Sequence, residues 1–218
     1  MAEFDPYVGT DRELKALDRA LLAEFNRLAG LTSFDELNVV KSVKATYAKA
    51  ERQARTTIIK AGRAAYKDTW KYMLAAGLAK PEDEPGDIRS AVPIAWVDEL
   101  LSNYDPVTEY VYEHELERKQ ARLAEALLAA LNAAARMTAL KRARLMLAGM
   151  VSQYADEATH KATLKAMQDA GIRHVRWVTV MDERRCSVCR SRDGHIYTLG
   201  MAPPKPHWKC RCVLVPVD

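Results

Sequence analysis

The stretch CSVCRSRDGHIYTLGMAPPKPHWKCRC, residues 186–212, holds all four cysteines of the chain. A C-x2-C turn lets two thiolates face one ion, and a second pair from a distant loop completes a tetrahedral site. Cysteine and histidine donors suit zinc. The stretch therefore predicts a structural Zn2+ site that orders a terminal module with few apolar residues. Its candidate ligands are Cys186, Cys189, His207, Cys210 and Cys212.

A tetrahedral zinc has four coordination positions, and the sequence offers five candidate ligands. The sequence therefore does not decide which four residues bind the ion. Cys186 and Cys189 form the first pair, and Cys210 fits both possible second pairs, with His207 or with Cys212. In a regular strand the side chains of Cys210 and Cys212 would diverge, because successive side chains alternate between faces. This favours His207 with Cys210, unless the chain bends there.

Disulfides, a redox C-x2-C and a catalytic zinc are the rival interpretations of the cysteines. Residues 1–10 show no secretory signal and no run of about 18 apolar residues occurs, so we expect a reducing cytoplasm without a membrane span, although a virion outside the cell would tolerate disulfides. A redox motif normally opens a helix in a βαβ unit, whereas this one follows a predicted strand. Asp182 and Glu183 are possible general bases for a catalytic zinc, but no H-E-x-x-H pattern is present.

The segments around the cysteines change character at Gly171. Residues 175–180, 195–199 and 212–217 read as short strands, the last at a sheet edge because Pro216 lacks a backbone donor. The first 170 residues are rich in Ala, Leu, Lys, Arg and Glu, and read as helical. We therefore expect a mainly α chain, with an elongated helical region followed by a small zinc-stapled α+β C-terminal module.

The helical region divides at its breakers. The sequence KPEDEPG, residues 80–86, is the expected hinge, and Ser33 with Glu36 resembles a capping box at the start of the long helix. The expected domains are residues 1–80, 81–153 and 154–218. The expected helices cover residues 11–29, 34–78, 88–104 with an interruption near Pro93, 105–137 with Asp105 and Pro106 at its start, and 139–170 with a weak point at Gly149.

Charge is unevenly distributed although the net charge is only +4. Residues 41–71 contain nine basic and two acidic residues, and residues 82–117 contain eleven acidic residues and one basic residue. Such blocks indicate contacts between subunits, a polyanion partner, or helices that pair within one protein. Tyr66 and Trp70 fall on the basic side of the helix, where they could stack on bases or pack against a neighbour. The candidate nucleic-acid-binding residues are Lys41, Lys44, Arg52, Arg55, Arg63 and Lys67.

No catalytic motif is found. The sequence lacks G-x-S-x-G, Walker and G-x-G-x-x-G patterns, and His114, His160 and His174 are isolated. We therefore expect no catalytic residues and no enzymatic activity, with an effector enzyme such as a toxin or nuclease ranked low.

Residues 158–217 resemble the C-terminal region of the phage Mu protein F-like family of minor head, or head-morphogenesis, proteins. The shared order is a helix ending in Gly, a Trp-Thr strand, an Asp-x-Arg-x-Cys-x2-Cys turn, an Asp-Gly, a Pro-rich loop and His-x2-Cys-Arg-Cys. Trp208 stands where many members have proline. The matching positions are Gly171, Trp177, Thr179, Asp182, Arg184, Cys186, Cys189, Asp193, Gly194, His207, Cys210, Arg211 and Cys212.

This resemblance implies a non-enzymatic minor capsid protein in the virion, inside the head, made in the host cytoplasm. The implied partners are the portal protein, around which several copies would sit, the major capsid protein and packaged double-stranded DNA. The implied roles are capsid assembly and DNA packaging or ejection, with no membrane contact during assembly. The alternative is a zinc-containing nucleic-acid-binding protein that acts outside the particle.

Overall fold

The computed structural model describes residues 4–102, 112–179, 186–207, 210 and 212–217. These residues are mainly helical and end in a small three-stranded sheet. The helices are α1 (Val8–Ala29), α2 (Glu36–Ala75), α3 (Ile88–Ala91), α4 (Ala95–Ser102), α5 (Tyr112–Leu128), α6 (Ala133–Asp169) and α7 (Ser187–Arg192). The strands are β1 (His174–Val178), β2 (Ile196–Thr198) and β3 (Val213–Pro216), and short 3-10 turns lie at Pro81–Asp83 and Leu199–Met201.

The periodicity of α2 predicts an apolar stripe from Val43 to Tyr72, and the helix buries all of it except Tyr72, which is half-buried. Val43, Tyr47, Ala50, Ala54, Ile58, Ala61 and Ala65 are all fully buried. Apolar residues at helical spacing face the core because burial removes their surface from water. The helix begins at Glu36, and Asp35 before it acts as the cap, since its carboxylate accepts from the backbone N–H of Asn38 at 2.9 Å. The cap is therefore Asp35 and not Ser33, the residue of the predicted capping box.

Tyr66 and Trp70 lie inside the protein, although the helical wheel places them on the basic side of α2. Their rings stack with centroids 6.2 Å apart, and the Tyr66 hydroxyl donates to Asp169 at 2.8 Å. Of the two roles predicted for these rings, packing is therefore the one observed. The second half of α2 is buried on more than one side, which a single-stripe wheel does not anticipate.

The second half of the helical region differs from the prediction at one junction. A helix expected to run to Met137 ends at Leu128, and α6 starts at Ala133 after a short break. The side chain of Asn132 caps α6 by accepting from the backbone N–H of Ala135 at 2.9 Å. Helix α6 then continues through Gly149, the expected weak point, since its neighbours are good helix formers. The predicted start at Asp105 and Pro106 lies outside the described residues.

The C-terminal sheet has the strand order β2-β1-β3, with both neighbours antiparallel to β1. Gly171 ends α6 with a positive φ of 74°, which glycine adopts without a steric penalty. Val175 and Trp177 are buried on one face of β1, whereas its alternate residues are exposed. Pro216 pairs with Val175 on the outer strand β3, as the edge prediction requires.

The chain forms two compact units that interleave along the sequence. The first contains residues 1–11, 61–93 and 156–218, and the second contains residues 12–60 and 94–155. The three consecutive domains proposed from the sequence stay a prediction. None of the described helices is sufficiently long and apolar to cross a lipid bilayer.

Candidate metal centre

The first two candidate ligands lie at the start of α7. Cys186 is the N-cap residue, and its Sγ accepts from the backbone N–H of Cys189 at 3.3 Å. The sulfurs of Cys186 and Cys189 lie within 4.8 Å of each other. The C-x2-C pair therefore opens a short helix, but this helix follows β1 in an antiparallel sheet and does not belong to the βαβ unit that is typical of redox motifs.

The other three candidate ligands approach Cys189 from the loop before β3. Cys189 Sγ lies 3.5 Å from Cys210 Sγ and 3.9 Å from His207 Nε2. Cys210 and Cys212 precede β3, which starts at Val213, so the alternation of a regular strand does not separate them. Cys212 thus remains a candidate ligand, as the sequence argument allowed for a bend.

The five residues form two triads that share Cys189. Within each triad the donor atoms lie within 4.8 Å of one another. One triad is Cys186, Cys189 and His207, and the other is Cys189, Cys210 and Cys212. The second triad is buried, whereas Cys186 is half-buried and His207 is exposed. All four cysteines are free thiols.

The thiols differ in acidity according to their surroundings. The backbone N–H of Cys189, with smaller contributions from the Cys189 side chain and His207, lowers the pKa of Cys186 to about 7. Burial raises the pKa values of Cys189 and Cys210, and the neighbouring thiols raise that of Cys189 further. Crowding several buried thiols becomes favourable when a cation compensates their negative charge.

The chemistry of these donors fits a soft divalent metal. The described cluster offers four sulfurs and one imidazole, and the described donor groups contain no carboxylate. Such ligands suit zinc in a four-coordinate structural site. The five residues are therefore close enough to hold a metal.

Hydrogen bonds from the end of β1 and from Thr179, the residue after it, hold Cys189 and the turn that follows α7 in place. Thr179 Oγ1 donates to the Cys189 carbonyl at 3.0 Å, and the backbone N–H of Thr179 donates to Asp193 Oδ1 at 2.9 Å. Gly194, with a φ of 77°, donates from its N–H to the Trp177 carbonyl at 2.8 Å. These residues, all in the family-like pattern, connect the end of β1 to α7 at Cys189 and to the turn that follows α7.

Lys205, between two prolines, links the loop that carries the candidate metal ligands to the start of the chain. Its Nζ donates to the Cys210 carbonyl at 2.8 Å and contacts the Tyr7 hydroxyl. Burial lowers the pKa of Lys205 and raises that of Tyr7. Nothing in the sequence predicts this pair, because no motif relates positions so far apart.

His160, one of the histidines set aside in the sequence, lies near Lys205. Burial, with a smaller effect of the Lys205 charge, lowers the pKa of His160 to about 4. The imidazole is therefore neutral at physiological pH.

The candidate nucleic-acid-binding residues on α2 fall into two groups. Lys41, Lys44, Arg52 and Lys67 are exposed. Arg55 pairs with Glu51, Asp98 and Glu113, and Arg63 donates to the Val92 carbonyl at 3.1 Å. Two of the six candidate cations, Arg55 and Arg63, are thus already bound to partners within the protein. Nucleic-acid binding at the remaining four stays a prediction.

Some residues of the sequence analysis lie outside the described part of the chain. They are Asp182, Glu183, Arg184, Trp208 and Arg211.

The described residues form a mainly helical protein whose small C-terminal sheet lies beside a cysteine and histidine cluster that could hold a metal. Residues 112–215, slightly less than half of the chain, match the family model of phage Mu protein F-like proteins. The C-terminal region is thus phage Mu protein F-like, which confirms the resemblance read from the cysteine pattern. The matched region includes the whole cluster, α5, α6, α7 and the sheet apart from Pro216, the last residue of β3. No curated protein and no solved structure gives a significant match.

Proposed function

We propose that this protein is a non-enzymatic minor head protein of a tailed phage. The observation that carries the proposal is the match of residues 112–215 to the phage Mu protein F-like family, together with the gathering of its Cys/His pattern into one cluster. Proteins of this kind act in head morphogenesis. A structural role agrees with a donor set of cysteines and a histidine, without a carboxylate among its described members.

The cluster would hold Zn2+ as a structural ion. When bound, zinc supplies a fourfold crosslink between α7 and the loop that precedes β3. Cys189 and the buried thiols of Cys210 and Cys212 are the inner ligands, and Cys186 or His207 completes the set. The ion would fix the sheet as a rigid docking surface, because few apolar residues are available to order this region.

The proposed partners are the portal protein first, then the major capsid protein and packaged double-stranded DNA. Several copies would sit around the portal inside the capsid, after synthesis in the host cytoplasm, and would assist assembly and DNA packaging or ejection. The exposed cations of α2, Lys41, Lys44, Arg52 and Lys67, would contact phosphates without reading sequence.

Co-expression with the portal protein of the same genome tests this role. The expected result is co-elution of the two chains, and recovery of this chain by mass spectrometry in purified proheads or virions. A Cys189→Ser variant should lose co-elution if the docking surface needs the metal. Absence of the chain from proheads and virions alike would contradict the proposal.

The alternative, a zinc-containing nucleic-acid-binding protein outside the particle, predicts tight and salt-sensitive DNA binding by the isolated chain. It also predicts no association with the portal, so the same co-elution experiment separates the two functions.

A further inference from the structure

The outward side of α6 carries an unusual mixture of residues in its first half. Met137, Leu145 and Met146 are 47%, 51% and 39% exposed, and exposed cations lie between them. Positions four apart share one side of a helix, so these residues form one continuous stripe. We call this stripe the α6 outer face. It consists of Met137, Thr138, Lys141, Arg142, Leu145 and Met146.

The opposite side of the same helix already packs in the core. Leu140, Leu147, Val151 and Tyr154 are buried. The α6 outer face is therefore distinct from the side of the helix that packs in the core. Among the described residues, Lys141 and Arg142 form no ion pair, so their charges are available to a partner.

The composition of the α6 outer face indicates which class of partner it would bind. Large apolar side chains beside cations favour a protein surface that offers both carboxylates and apolar contact. Nucleic acid phosphates would use the cations but would gain little from Leu145 and Met146. A membrane-surface helix usually carries tryptophan or phenylalanine on its apolar side, and this face contains no aromatic residue.

The chain itself presents an acidic surface of this kind. Glu82 and Asp83 on the 3-10 turn after α2, and Glu84 directly after that turn, are exposed and form no ion pair within the described residues. Pro81 and Pro85 restrict the backbone on either side, so little conformational freedom is lost when a partner binds. We call this segment, residues 81–87, the acidic turn.

We propose that the α6 outer face of one copy binds the acidic turn of a second copy. Lys141 and Arg142 would face Glu82 and Glu84, while Leu145 and Met146 would pack against the apolar rings of Pro81 and Pro85. Because the two surfaces differ, the contact is head-to-tail and repeats from copy to copy into a ring or a chain. The inference goes beyond the head-protein role and does not depend on the metal.

Sedimentation velocity of the full-length protein at low and high salt tests the association. We expect species of two or more copies at low salt and dissociation at high salt, because exposed ion pairs are screened. A monomer at every concentration at low salt would overturn the proposal.

Charge-neutralised variants test which surfaces meet. Lys141→Gln with Arg142→Gln, and separately Glu82→Gln with Glu84→Gln, should each weaken association by about tenfold or more. The matched controls remove the same charge elsewhere on exposed helix positions: Lys15→Gln with Arg19→Gln, and Glu117→Gln with Glu125→Gln. Equal weakening by a control pair would show a general charge effect and would contradict the assignment.

A mixture of the two variants distinguishes a second copy from another acidic partner. Each variant keeps one intact surface, so the mixture should form pairs that do not grow further. Loss of association in the α6 variant but not in the acidic-turn variant would show that another acidic surface is the occupant. Circular dichroism checks that each variant is folded.

Discussion

Lys205 and Tyr7 are in direct contact, although 198 positions separate them in the sequence. The ammonium also donates to the carbonyl of Cys210, one of the buried thiol residues. The first helix thus begins against the loop that carries the candidate metal ligands. Further contacts hold the same N-terminal stretch: Thr10 shares a buried hydrogen bond of 2.5 Å with Thr159, and the ring of Phe4 lies 4.6 Å from that of Tyr72.

Replacing Lys205 should loosen the N-terminal stretch. In Lys205→Met the Tyr7 hydroxyl and the Cys210 carbonyl lose their donor, and we expect a loss of about 1–2 kcal/mol in the free energy of unfolding. Hydrogen exchange should accelerate in residues 4–11 while metal content is unchanged. Lys67→Met, at an exposed position, is the control. Unaltered exchange in residues 4–11 would show that the contact does not hold the segment.

The shared position of Cys189 predicts unequal effects of ligand substitutions. Purified protein should contain about one equivalent of zinc, the number that one four-ligand site holds. Cys189→Ser should abolish binding, because Cys189 belongs to both triads. Cys186→Ser and His207→Ala should weaken binding without abolishing it, since each can replace the other.

Metal analysis combined with thermal unfolding measures this difference. Ser191→Ala on the exposed side of α7 provides the control and should leave both quantities unchanged. Removal of the ion by a chelator should lower the unfolding temperature of the wild type. The unfolding temperature of Cys189→Ser should not change. The absence of any bound metal from the wild type would refute the site.

Gly9 should not tolerate a side chain. A Cβ added there would lie 2.5 Å from the Cβ of Ala64, so the start of α1 would have to move away from α2. We expect Gly9→Ala to lower the free energy of unfolding by about 1–3 kcal/mol. Gly86→Ala is the matched control, because no atom lies within 4 Å of its added Cβ. Urea unfolding of the two variants gives the comparison, and equal stability would disprove the close approach.

His160 should make stability depend on pH. Burial lowers its pKa to about 4 in the folded protein, from an ordinary histidine value of 6.5. Below the unfolded-state pKa the unfolded chain takes up a proton that the folded one resists, so stability is lost as the pH falls from 6.5 toward 4. The loss should reach about 2 kcal/mol at pH 5.

The difference in unfolding free energy between the wild type and His160→Gln, measured at pH 7 and at pH 5, isolates this effect. Relative to the wild type, His160→Gln should be more stable at pH 5 than at pH 7 by about 2 kcal/mol in the free energy of unfolding. His114→Gln, at an exposed position of α5, should show no such shift. A pH-independent difference for His160→Gln would mean that the imidazole titrates normally.

The exposed and the paired cations of α2 should behave differently toward DNA. Each phosphate contact contributes close to one unit to the salt dependence, so Lys41→Gln with Lys44→Gln should reduce the slope of log K against log salt by about two. Arg55→Gln should leave the slope unchanged and instead cost about 1 kcal/mol of stability, because Arg55 pairs with Glu51 and Asp98. Fluorescence anisotropy with duplex DNA measures the slopes. A chain that does not bind at low salt would remove DNA from the list of partners.

The sequence predicts the features that depend on local chemistry. Gly171 ends α6, the three strands follow where β-branched and aromatic residues cluster, and the predicted stripe of α2 from Val43 to Ala65 is buried. The cysteine and histidine spacing places five donors together, because ligands within one short stretch need no knowledge of the distant chain.

Features set by the distant chain were missed. Tyr66 and Trp70 are buried because a second side of α2 is covered, which a helical wheel of one helix cannot show. The break before α6 depends on the cap formed by Asn132, in a run of helix-forming residues that otherwise reads as continuous. Lys205 becomes a buried donor only through Tyr7, at the other end of the sequence.

The interleaving of the two units bears on the order in which the chain can fold during synthesis. One unit takes its residues from the beginning, the middle and the end of the chain. A ribosome releases these segments in sequence, so residues 4–11 wait for residue 205 before their contact with the loop can form. The other unit ends at residue 155 and can be completed earlier. A protein shortened by its last few dozen residues would therefore lose partners at its own N-terminus.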